Sequence, residues 1–269
     1  MSAEERPGMR VAVAGGTGLV GRLVVEELAA AGQEPVVLAR SRGVDLVSGA
    51  GLDAAMAGVD VVVDVSNVTT MSGKKAVPFF DSVSRTLLAA GERAGVRHHI
   101  ALSIVGVDRV GHGYYQGKLR QESVVKGGPT PWTVLRATQF HEFVEQTLGL
   151  VPKPFAVVPR MRTQPVAARE VAQHLVRLAL DPAQGMAPEL AGPRVEQLVD
   201  LARRLLRATH QRRLLVPVRL PGATGAAMAG DGQLPTGPGP RGRQTFDEWL
   251  AQRRRNPSAS REGESGGAV

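Results

Sequence analysis

Short apolar runs alternate with longer stretches of helical periodicity over the first 150 residues. Runs such as VAVA at 11–14 and VVVDV at 61–65 are apolar at consecutive positions rather than at every second one, which is typical of strands buried on both faces of a parallel sheet. Strands are therefore predicted at Val11–Ala14, Pro35–Ala39, Val44–Leu46, Val59–Val65, His98–Ser103 and Trp132–Leu135.

Between these runs, apolar residues recur with the period of an amphipathic helix. Helices are predicted at Leu19–Ala31, Leu52–Ala57, Val77–Ala94, Tyr114–Lys126 and His141–Thr147. Strands that alternate with helices indicate an α/β fold, a doubly wound parallel sheet with crossover helices. Residues 1–150 form the predicted core domain.

The pattern loosens after residue 150 and predicts a small C-terminal part, 151–254, that completes the fold and the substrate pocket. Within it we expect a strand in KPFAVVP, helices at 167–180 and 195–208, a strand at 214–220, a Gly- and Pro-rich loop at 222–244 and a short helix at 245–252. The end of the chain, 255–269, is predicted to be a disordered tail.

The net charge of +8 lies entirely in the C-terminal part, since residues 1–150 hold 15 Lys and Arg against 15 Asp and Glu. Aromatic residues are 4% of the chain, and none interleaves with the basic clusters as single-strand binding requires. We expect no nucleic-acid partner. No apolar stretch approaches the roughly 18 residues of a membrane span, and there is no cysteine. Because MSAEERPG is polar and acidic, we expect no secretion signal. We therefore expect a cytoplasmic protein with no membrane partner.

A glycine-rich loop joins the first predicted strand to the first helix. Its glycines, Gly15, Gly18 and Gly21, have the spacing G-x-x-G-x-x-G, and Thr17 adds a hydroxyl. Glycines at a strand–helix turn let the backbone approach a pyrophosphate, and the helix N-terminus supplies N–H groups and the positive end of its dipole. This placement predicts dinucleotide binding and hence a Rossmann-type sheet.

The second predicted strand ends in Arg40 and Ser41, and the first carboxylate after it is Asp45. A guanidinium and a hydroxyl suit a 2′-phosphate, whereas the ribose diol of NAD(H) prefers an acceptor. The sequence thus predicts NADP(H) in preference to NAD(H).

A second group of candidates lies at 100–125. Ser103 ends a predicted strand, and Tyr114 and Lys118 are four residues apart on one face of the following helix. An ammonium beside a phenol lowers the phenol's pKa, so Tyr114 is the predicted proton donor or acceptor, and Ser103 the donor that orients a substrate carbonyl. Tyr115 precedes Lys118 by three residues and can face the same way, so the choice between the two phenols stays open.

These segments resemble the short-chain dehydrogenase/reductase superfamily, and within it the atypical NmrA-like NAD(P)-binding branch. The resemblance is carried by AGGTGLVGR, DVSN, YYQGKLRQE, LRATQFHEF and a late TFDEWLA, and covers nearly the whole chain. It implies the following cofactor contacts: Gly15, Thr17, Gly18, Leu19, Val20 and Gly21 at the pyrophosphate, Arg40 and Ser41 at the adenosine phosphate, Ser66 and Asn67 beside the cofactor, Lys118 at the nicotinamide ribose, and Thr138, Gln139 and Phe140 along the nicotinamide side.

The resulting hypothesis is an NADPH-preferring oxidoreductase that reduces a small carbonyl, enone or quinone. Two alternatives are a non-catalytic NADP-sensing regulator and a non-redox isomerase or cyclase of a biosynthetic pathway. Phe140 and His141 are predicted substrate contacts, since they follow a strand at the ligand-binding edge of the sheet. No metal site is predicted, because the neighbouring His98 and His99 point to opposite faces of a strand. The expected partner is a small-molecule substrate, and a homodimer is the assembly to test.

Overall fold

A computed structural model describes residues 8–111 and 113–255. Numbered along the chain, its strands are β1 (Arg10–Ala14), β2 (Glu34–Leu38), β3 (Val61–Asp64), β4 (His98–Ile104), β5 (Trp132–Ala137), β6 (Phe155–Pro159), β7 (Arg162–Thr163), β8 (Gly185–Met186), β9 (Glu196–Gln197) and β10 (Leu214–Val218). Six of them form a parallel sheet in the order β2-β1-β3-β4-β5-β8. This sheet confirms the predicted Rossmann-type doubly wound fold.

Helices cover both faces of the sheet. They are α1 (Leu19–Ala30), α2 (Leu52–Met56), α3 (Gly73–Ala94), α4 (Gly113–Lys126), α5 (Phe143–Gly149), α6 (Ala168–Leu180), α7 (Leu198–Ala208), α8 (Gly222–Ala229) and α9 (Phe246–Arg255). Alternate residues of β1 point to opposite faces: Val11 and Val13 pack with α1 and α6, whereas Ala12 and Ala14 pack with α2 and α3. Both faces of the sheet are therefore covered by helices, which explains why the strand sequences are apolar at consecutive positions.

The C-terminal part forms a second core beside the sheet. Its strands β6 and β10 pair in parallel, and β7 pairs with β9 in antiparallel fashion. Helices α5, α7 and α9 pack together with one face of β6, through residues such as Val158, Leu201 and Phe246. The amphipathic pattern of 195–208 correctly predicts α7, because its apolar side is the one that is buried.

Two predictions about elements are wrong. Residues 44–46 form a turn rather than a strand, since the Asp45 carboxylate accepts the N–H groups of Val47 and Ser48 and so competes with strand pairing. The predicted loop 222–244 begins with helix α8, whose alanines favour helix. Beyond the predicted boundary at residue 150, α6 packs on α1 and β8 extends the central sheet.

The predicted tail, apart from Arg255 at the end of α9, lies outside the described residues. In the part of the chain that the structure describes, no helix is long and apolar enough to cross a membrane. The glycine loop, Arg40 and the loop after β3 all lie at the carboxyl edge of the six-stranded sheet.

Candidate cofactor and active site

The strand order places a crevice between the loops that follow β1 and β3. Strand β1 lies between β2 and β3, so the connections from β1 and β3 leave toward opposite faces of the sheet, the arrangement in which open α/β sheets bind ligands. Gly15 stands at this point with a left-handed φ of 78° and donates its N–H to Leu38 O. A Cβ on Gly15 would lie 2.9 Å from the Ser66 Cα. Only glycine lets the two loops approach this closely.

The other glycines bring helix α1 against the same loop. A Cβ on Gly21 would lie 2.1 Å from Gly15 O, so Gly21 is required for close packing of the helix on the turn. Gly18 is the N-cap of α1, and no described side chain caps the helix. The first-turn N–H groups of α1 are therefore left for another acceptor, and they carry the positive end of the helix dipole.

The remaining loop residues divide into exposed and packed side chains. Thr17 is exposed beside the loop. Val20 is buried in the main core, and Leu19 packs against that core. Thr17 can thus offer its hydroxyl to a ligand, whereas Leu19 and Val20 can offer only backbone N–H groups.

The loops have an unused polar atom at the place where a dinucleotide would bind. The Ser66 hydroxyl is buried and has no hydrogen-bond partner among the described residues. Its backbone N–H donates to Asp64 Oδ1 at 2.9 Å, which fixes the loop beside Gly15. An unpaired buried hydroxyl is costly. The glycine cradle, the uncapped helix and this hydroxyl together fit a bound dinucleotide.

Arg40 and Ser41 lie directly after β2, in a short 3₁₀ turn that ends at Arg42. Both residues are exposed, and Arg40 forms no ion pair with any described residue. The nearby Asp45 is committed to its own turn, and the N–H groups of Val47 and Ser48 lower the pKa of its carboxyl. The end of β2 therefore presents a cation and a hydroxyl, with the neighbouring carboxylate held elsewhere.

Tyr114 is joined to the loop after β3. Its hydroxyl donates to Asn67 Oδ1 at 2.6 Å, so these two predicted site residues are brought together. Burial, and secondly the neighbouring phenol of Tyr115, raise the pKa of Tyr114. This differs from the expected lowering by Lys118, because the ammonium is occupied at another place.

Lys118 is buried under α4. Its ammonium donates to Leu102 O at 3.0 Å and to Gln121 Oε1 at 2.9 Å, and lies 4.4 Å from the centre of the Phe80 ring. Burial lowers the pKa of Lys118 to about 8, and the charges of Asp64 and Glu122 oppose that change. Two of the three N–H bonds of Lys118 are therefore used within the protein.

Ser103 lies in a buried ionic cluster with Glu122 and Arg136. It donates to Glu122 Oε1 at 2.6 Å, and Arg136 holds the same carboxylate through its Nε at 2.8 Å and its Nη2 at 2.8 Å. Glu122 also faces Lys126. The proton of Ser103, the predicted donor to a substrate carbonyl, is thus used inside a buried ionic cluster in this arrangement.

Tyr115 belongs to a different cluster, at the carboxyl end of β5. Its hydroxyl accepts N–H bonds from Gln139, at 3.4 Å, and from Gln233. Gln139 in turn accepts from the Thr163 hydroxyl at 2.6 Å. Burial raises the pKa of Tyr115, whereas the two amides lower it. The predicted contact Gln139 is therefore near a phenol, but near Tyr115 rather than Tyr114.

The last three predicted residues follow β5. The Thr138 hydroxyl donates to Gln164 O at 2.6 Å, and Phe140 packs against the main core. His141 is fully buried between Phe246 and Trp249 of α9, and burial lowers its pKa to about 4. His141, a predicted substrate contact, is thus placed as a packing residue of the second core.

The sequence reasoning missed the residues that hold the site together. Gln121 joins Lys118 to Asp64, donating to Asp64 Oδ2 at 2.8 Å. Gln121 lies three residues after Lys118, and this helical spacing was a usable signal. Gln233 gave none, because it comes from a distant loop. No group of three or more His, Cys, Asp or Glu able to hold a metal occurs among residues 8–111 and 113–255.

Comparison with known families agrees with this site. A sequence model described as NAD(P)H-binding matches residues 15–182, which include the glycine loop, the cluster of Ser103, Glu122 and Arg136, and α6. No curated protein matches the chain significantly. The match begins at the glycine that opens the cofactor crevice and ends after the last core helix.

Solved structures of the same architecture span nearly the whole chain. UDP-glucose-4-epimerase from Stenotrophomonas maltophila, with bound NAD, has a TM-score of 0.68 and 17% identity over 92% of this chain and 99% of that one. A short-chain dehydrogenase/reductase superfamily protein from Agrobacterium tumefaciens, also with NAD, has a TM-score of 0.66 and 17% identity over 94% and 99%. A dTDP-4-dehydrorhamnose reductase from Clostridium acetobutylicum has a TM-score of 0.63 and 16% identity over 78% and 84%. The chain belongs to the NAD(P)H-binding family whose model matches residues 15–182, and it shares the fold of these solved structures.

Proposed function

We propose that the protein is an NADPH-preferring oxidoreductase that reduces a small carbonyl, enone or quinone. The observation that carries this proposal is the crevice at Gly15, where a glycine cradle, an uncapped helix and the unpaired Ser66 hydroxyl meet. In it, the first-turn N–H groups of α1 and the Thr17 hydroxyl bind the pyrophosphate. Ser66 and Asn67 lie alongside the dinucleotide.

The preference for NADPH rests on the end of β2. Arg40 provides a charge without an ion-pair partner among the described residues, and Ser41 a hydroxyl, for a 2′-phosphate. Asp45 does not compete for the ribose diol, because its carboxylate accepts two N–H groups of its own turn. The two features act in the same direction, toward the phosphorylated cofactor.

When bound, the nicotinamide supplies hydride, and the protein supplies the accompanying proton. Tyr114 is the proposed proton donor, with its hydroxyl oriented by Asn67. Lys118 keeps one N–H bond for the nicotinamide ribose, while Leu102 O and Gln121 fix its ammonium. Thr138 and Gln139 line the nicotinamide side as parts of a rigid wall, since their polar groups are already hydrogen-bonded.

A second candidate function is a non-catalytic NADP sensor. Two observations favour it: the Ser103 hydroxyl donates to Glu122 within the protein, and the pKa of Tyr114 is raised. A sensor needs the cofactor crevice but no proton donor. A reductase consumes NADPH with its substrate, a sensor binds NADPH without turnover, and a non-redox isomerase or cyclase converts substrate without net loss of NADPH.

The test is a fluorescence titration with NADPH and with NADH of the wild type and of Arg40→Asp. We expect the wild type to bind NADPH more tightly and Arg40→Asp to lose that preference by more than about tenfold, because a charge-assisted pair is replaced by repulsion. Arg177→Asp, an exposed charge reversal on α6, is the control and keeps the preference. Equal preference in the wild type and Arg40→Asp would contradict the proposal.

A further inference from the structure

Strands β6 and β10 expose an apolar face that no described element covers. Inward residues of the pair, such as Ala156 and Val158, are buried in the second core. The alternate residues point outward: Phe155 is 47% exposed, Leu214 61% and Val216 36%. Phe155 and Leu214 are direct partners in the strand pairing. The outer face of this two-stranded sheet is therefore an apolar surface open to solvent.

Arg213 joins the segments that carry this face. The Arg213 guanidinium donates to the carbonyls of Leu148, Val151 and Phe155. It thereby ties the end of α5 and the start of β6 to the start of β10. Leu150, which is 65% exposed, lies between Leu148 and Val151, whose carbonyls accept these bonds. Leu150, Phe155 and Leu214 are thus exposed apolar residues in segments that Arg213 joins.

Cations flank the strands of this face. Lys153 precedes β6 and Arg160 follows it, whereas Arg212 precedes β10 and Arg219 follows it. None of these four forms an ion pair with a described residue. The stretches 146–169 and 201–230 contain no Asp or Glu. The positive excess of the C-terminal part is therefore concentrated around an apolar surface, and nothing in the cofactor site uses it.

A groove adds further cations beside this face. It runs between the end of α7 and the start of β10, and its lining includes Arg203, Arg207, Arg212 and Arg213 together with Leu206 and Leu215. Such a groove can hold an anionic head group, while the adjoining apolar side chains enter the acyl boundary. Apolar area combined with cations is the composition of a surface that binds anionic membranes.

We propose that this surface, the cationic sheet face formed by Leu150, Phe155, Leu214 and Val216 with their flanking cations, docks on anionic phospholipid. A second copy of the chain fits it less well, because a symmetric contact would place the same cations against one another. The face has one aromatic residue and few polar side chains at its centre, unlike the aromatic and hydrogen-bonded centre of a protein interface. Docking is peripheral and leaves the cofactor crevice unchanged; it departs from the sequence-based expectation of no membrane partner, which rested on the absence of a membrane-spanning segment in the sequence.

The test is co-sedimentation of the full chain with vesicles of phosphatidylcholine alone and of phosphatidylcholine with phosphatidylglycerol. We expect binding only to the anionic vesicles, weakening as salt is added. Arg212→Gln with Arg219→Gln should lower the partition coefficient by about fivefold for each cation. Phe155→Ser with Leu214→Ser should lower it by at least about tenfold, because exposed apolar area is removed.

Matched controls separate docking from folding and from total charge. Arg177→Gln with Arg243→Gln removes the same charge elsewhere, and Val47→Ser with Val195→Ser removes exposed apolar groups elsewhere. Both control variants should bind vesicles like the wild type. NADPH affinity and thermal midpoint should be unchanged in every variant that affects docking.

Three results would overturn the proposal. One is a wild type that ignores anionic vesicles, which would leave an acidic protein as the remaining kind of partner. Another is vesicle binding that survives both changes to the face. The third is a wild-type dimer in sedimentation equilibrium without lipid that Phe155→Ser with Leu214→Ser converts to monomer, which would make the face a contact between copies.

Discussion

The Tyr114 hydroxyl donates a 2.6 Å hydrogen bond to Asn67 Oδ1 across the carboxyl edge of the sheet. The bond joins the start of α4 to the loop after β3, next to the glycine cradle. Gly73 at the start of α3 is in close contact with Gly113 of α4, since a Cβ on Gly113 would lie 2.5 Å from Gly73 N. The proposed proton donor is therefore held against the cofactor crevice by close backbone packing.

Replacing Tyr114 by Phe tests this role directly. If Tyr114 supplies the proton, Tyr114→Phe should lower kcat by about 10²- to 10⁴-fold, the usual contribution of a general acid, with NADPH affinity nearly intact. The measurement is NADPH oxidation with a panel of small carbonyls, enones and quinones. Phe keeps the edge-on packing against Phe80, so the fold should be preserved.

The matched variant is Tyr115→Phe, one residue along the same helix. It removes the oxygen that accepts from Gln139 and Gln233, so it should lower stability by about 1–3 kcal/mol through unpaired amides and leave the chemical step intact. A large loss of kcat in Tyr115→Phe with normal kcat in Tyr114→Phe would reverse the two assignments.

Replacing Gly21 by Ala tests the cradle. The new methyl group would lie 2.1 Å from Gly15 O and 2.6 Å from Gly16 Cα, so α1 must shift from the loop. Gly21→Ala should weaken NADPH binding by more than about tenfold and cost about 1–3 kcal/mol of unfolding free energy, the usual effect of overpacking. NADPH titration and urea unfolding measure the two effects.

The control is Gly149→Ala. No atom lies within 4 Å of a Cβ at Gly149, which ends α5, so an alanine there should leave NADPH affinity unchanged. Normal NADPH affinity in Gly21→Ala would show that the close contact of α1 with the loop is not needed for binding.

The position of the glycine loop and of Arg40 at the sheet edge could be predicted from the sequence because its signals are local. Gly15, Gly18 and Gly21 stand within one strand–turn–helix unit, and Arg40 directly follows the next strand. The position of each along the chain fixes its position at the sheet edge. The family resemblance and the doubly wound sheet follow from the same short-range pattern, and both are confirmed.

The catalytic half could not be predicted, because its orientation depends on residues distant in sequence. Ser103 turns toward Glu122 since Arg136 of the neighbouring strand holds that carboxylate. The expected low pKa of Tyr114 fails since Gln121 and Leu102 O take the Lys118 ammonium. Spacing along α4 shows which residues share a face, but not which partner each side chain reaches.

The ionic cluster at Ser103 leads to a prediction about stability. The side chains of Glu122 and Arg136 are 2% and 13% exposed, so Arg136→Met would leave a buried carboxylate without its main partner and should cost about 3–5 kcal/mol. Ser103→Ala should cost only about 1 kcal/mol, the value of one hydrogen bond. Urea unfolding at neutral pH gives both values.

The control is Arg85→Met, which removes an exposed ion pair with Asp81 and should cost no more than about 1 kcal/mol. The pH dependence provides a second check. Burial raises the pKa of Glu122, but Arg136 and Ser103 hold it below its usual range, so this stability is present above the unfolded-state value of 4.5 and lost at lower pH. An equal loss in Arg136→Met and Arg85→Met would contradict a buried pair.

Lys118 should give the protein an unusual gain in stability on the alkaline side. Its pKa falls from 10.5 in the unfolded chain to about 8 in the folded one, because burial disfavours the charge more than Asp64 and Glu122 favour it. Between these two pH values the unfolded chain binds a proton that the folded chain lacks, so stability rises with pH. In Lys118→Met this gain is absent. The difference in unfolding free energy, wild type minus Lys118→Met, should therefore increase by roughly 2 kcal/mol between pH 8 and about pH 10. The raised pKa values of Tyr114 and Tyr115 act in the opposite direction above pH 10, but they are common to both proteins and cancel in the difference.

The exposed Lys75→Met is the control, for which the same difference should stay constant. A constant difference for Lys118→Met as well would mean that the ammonium is solvated, and its place as a fixed part of the cofactor site would have to be abandoned.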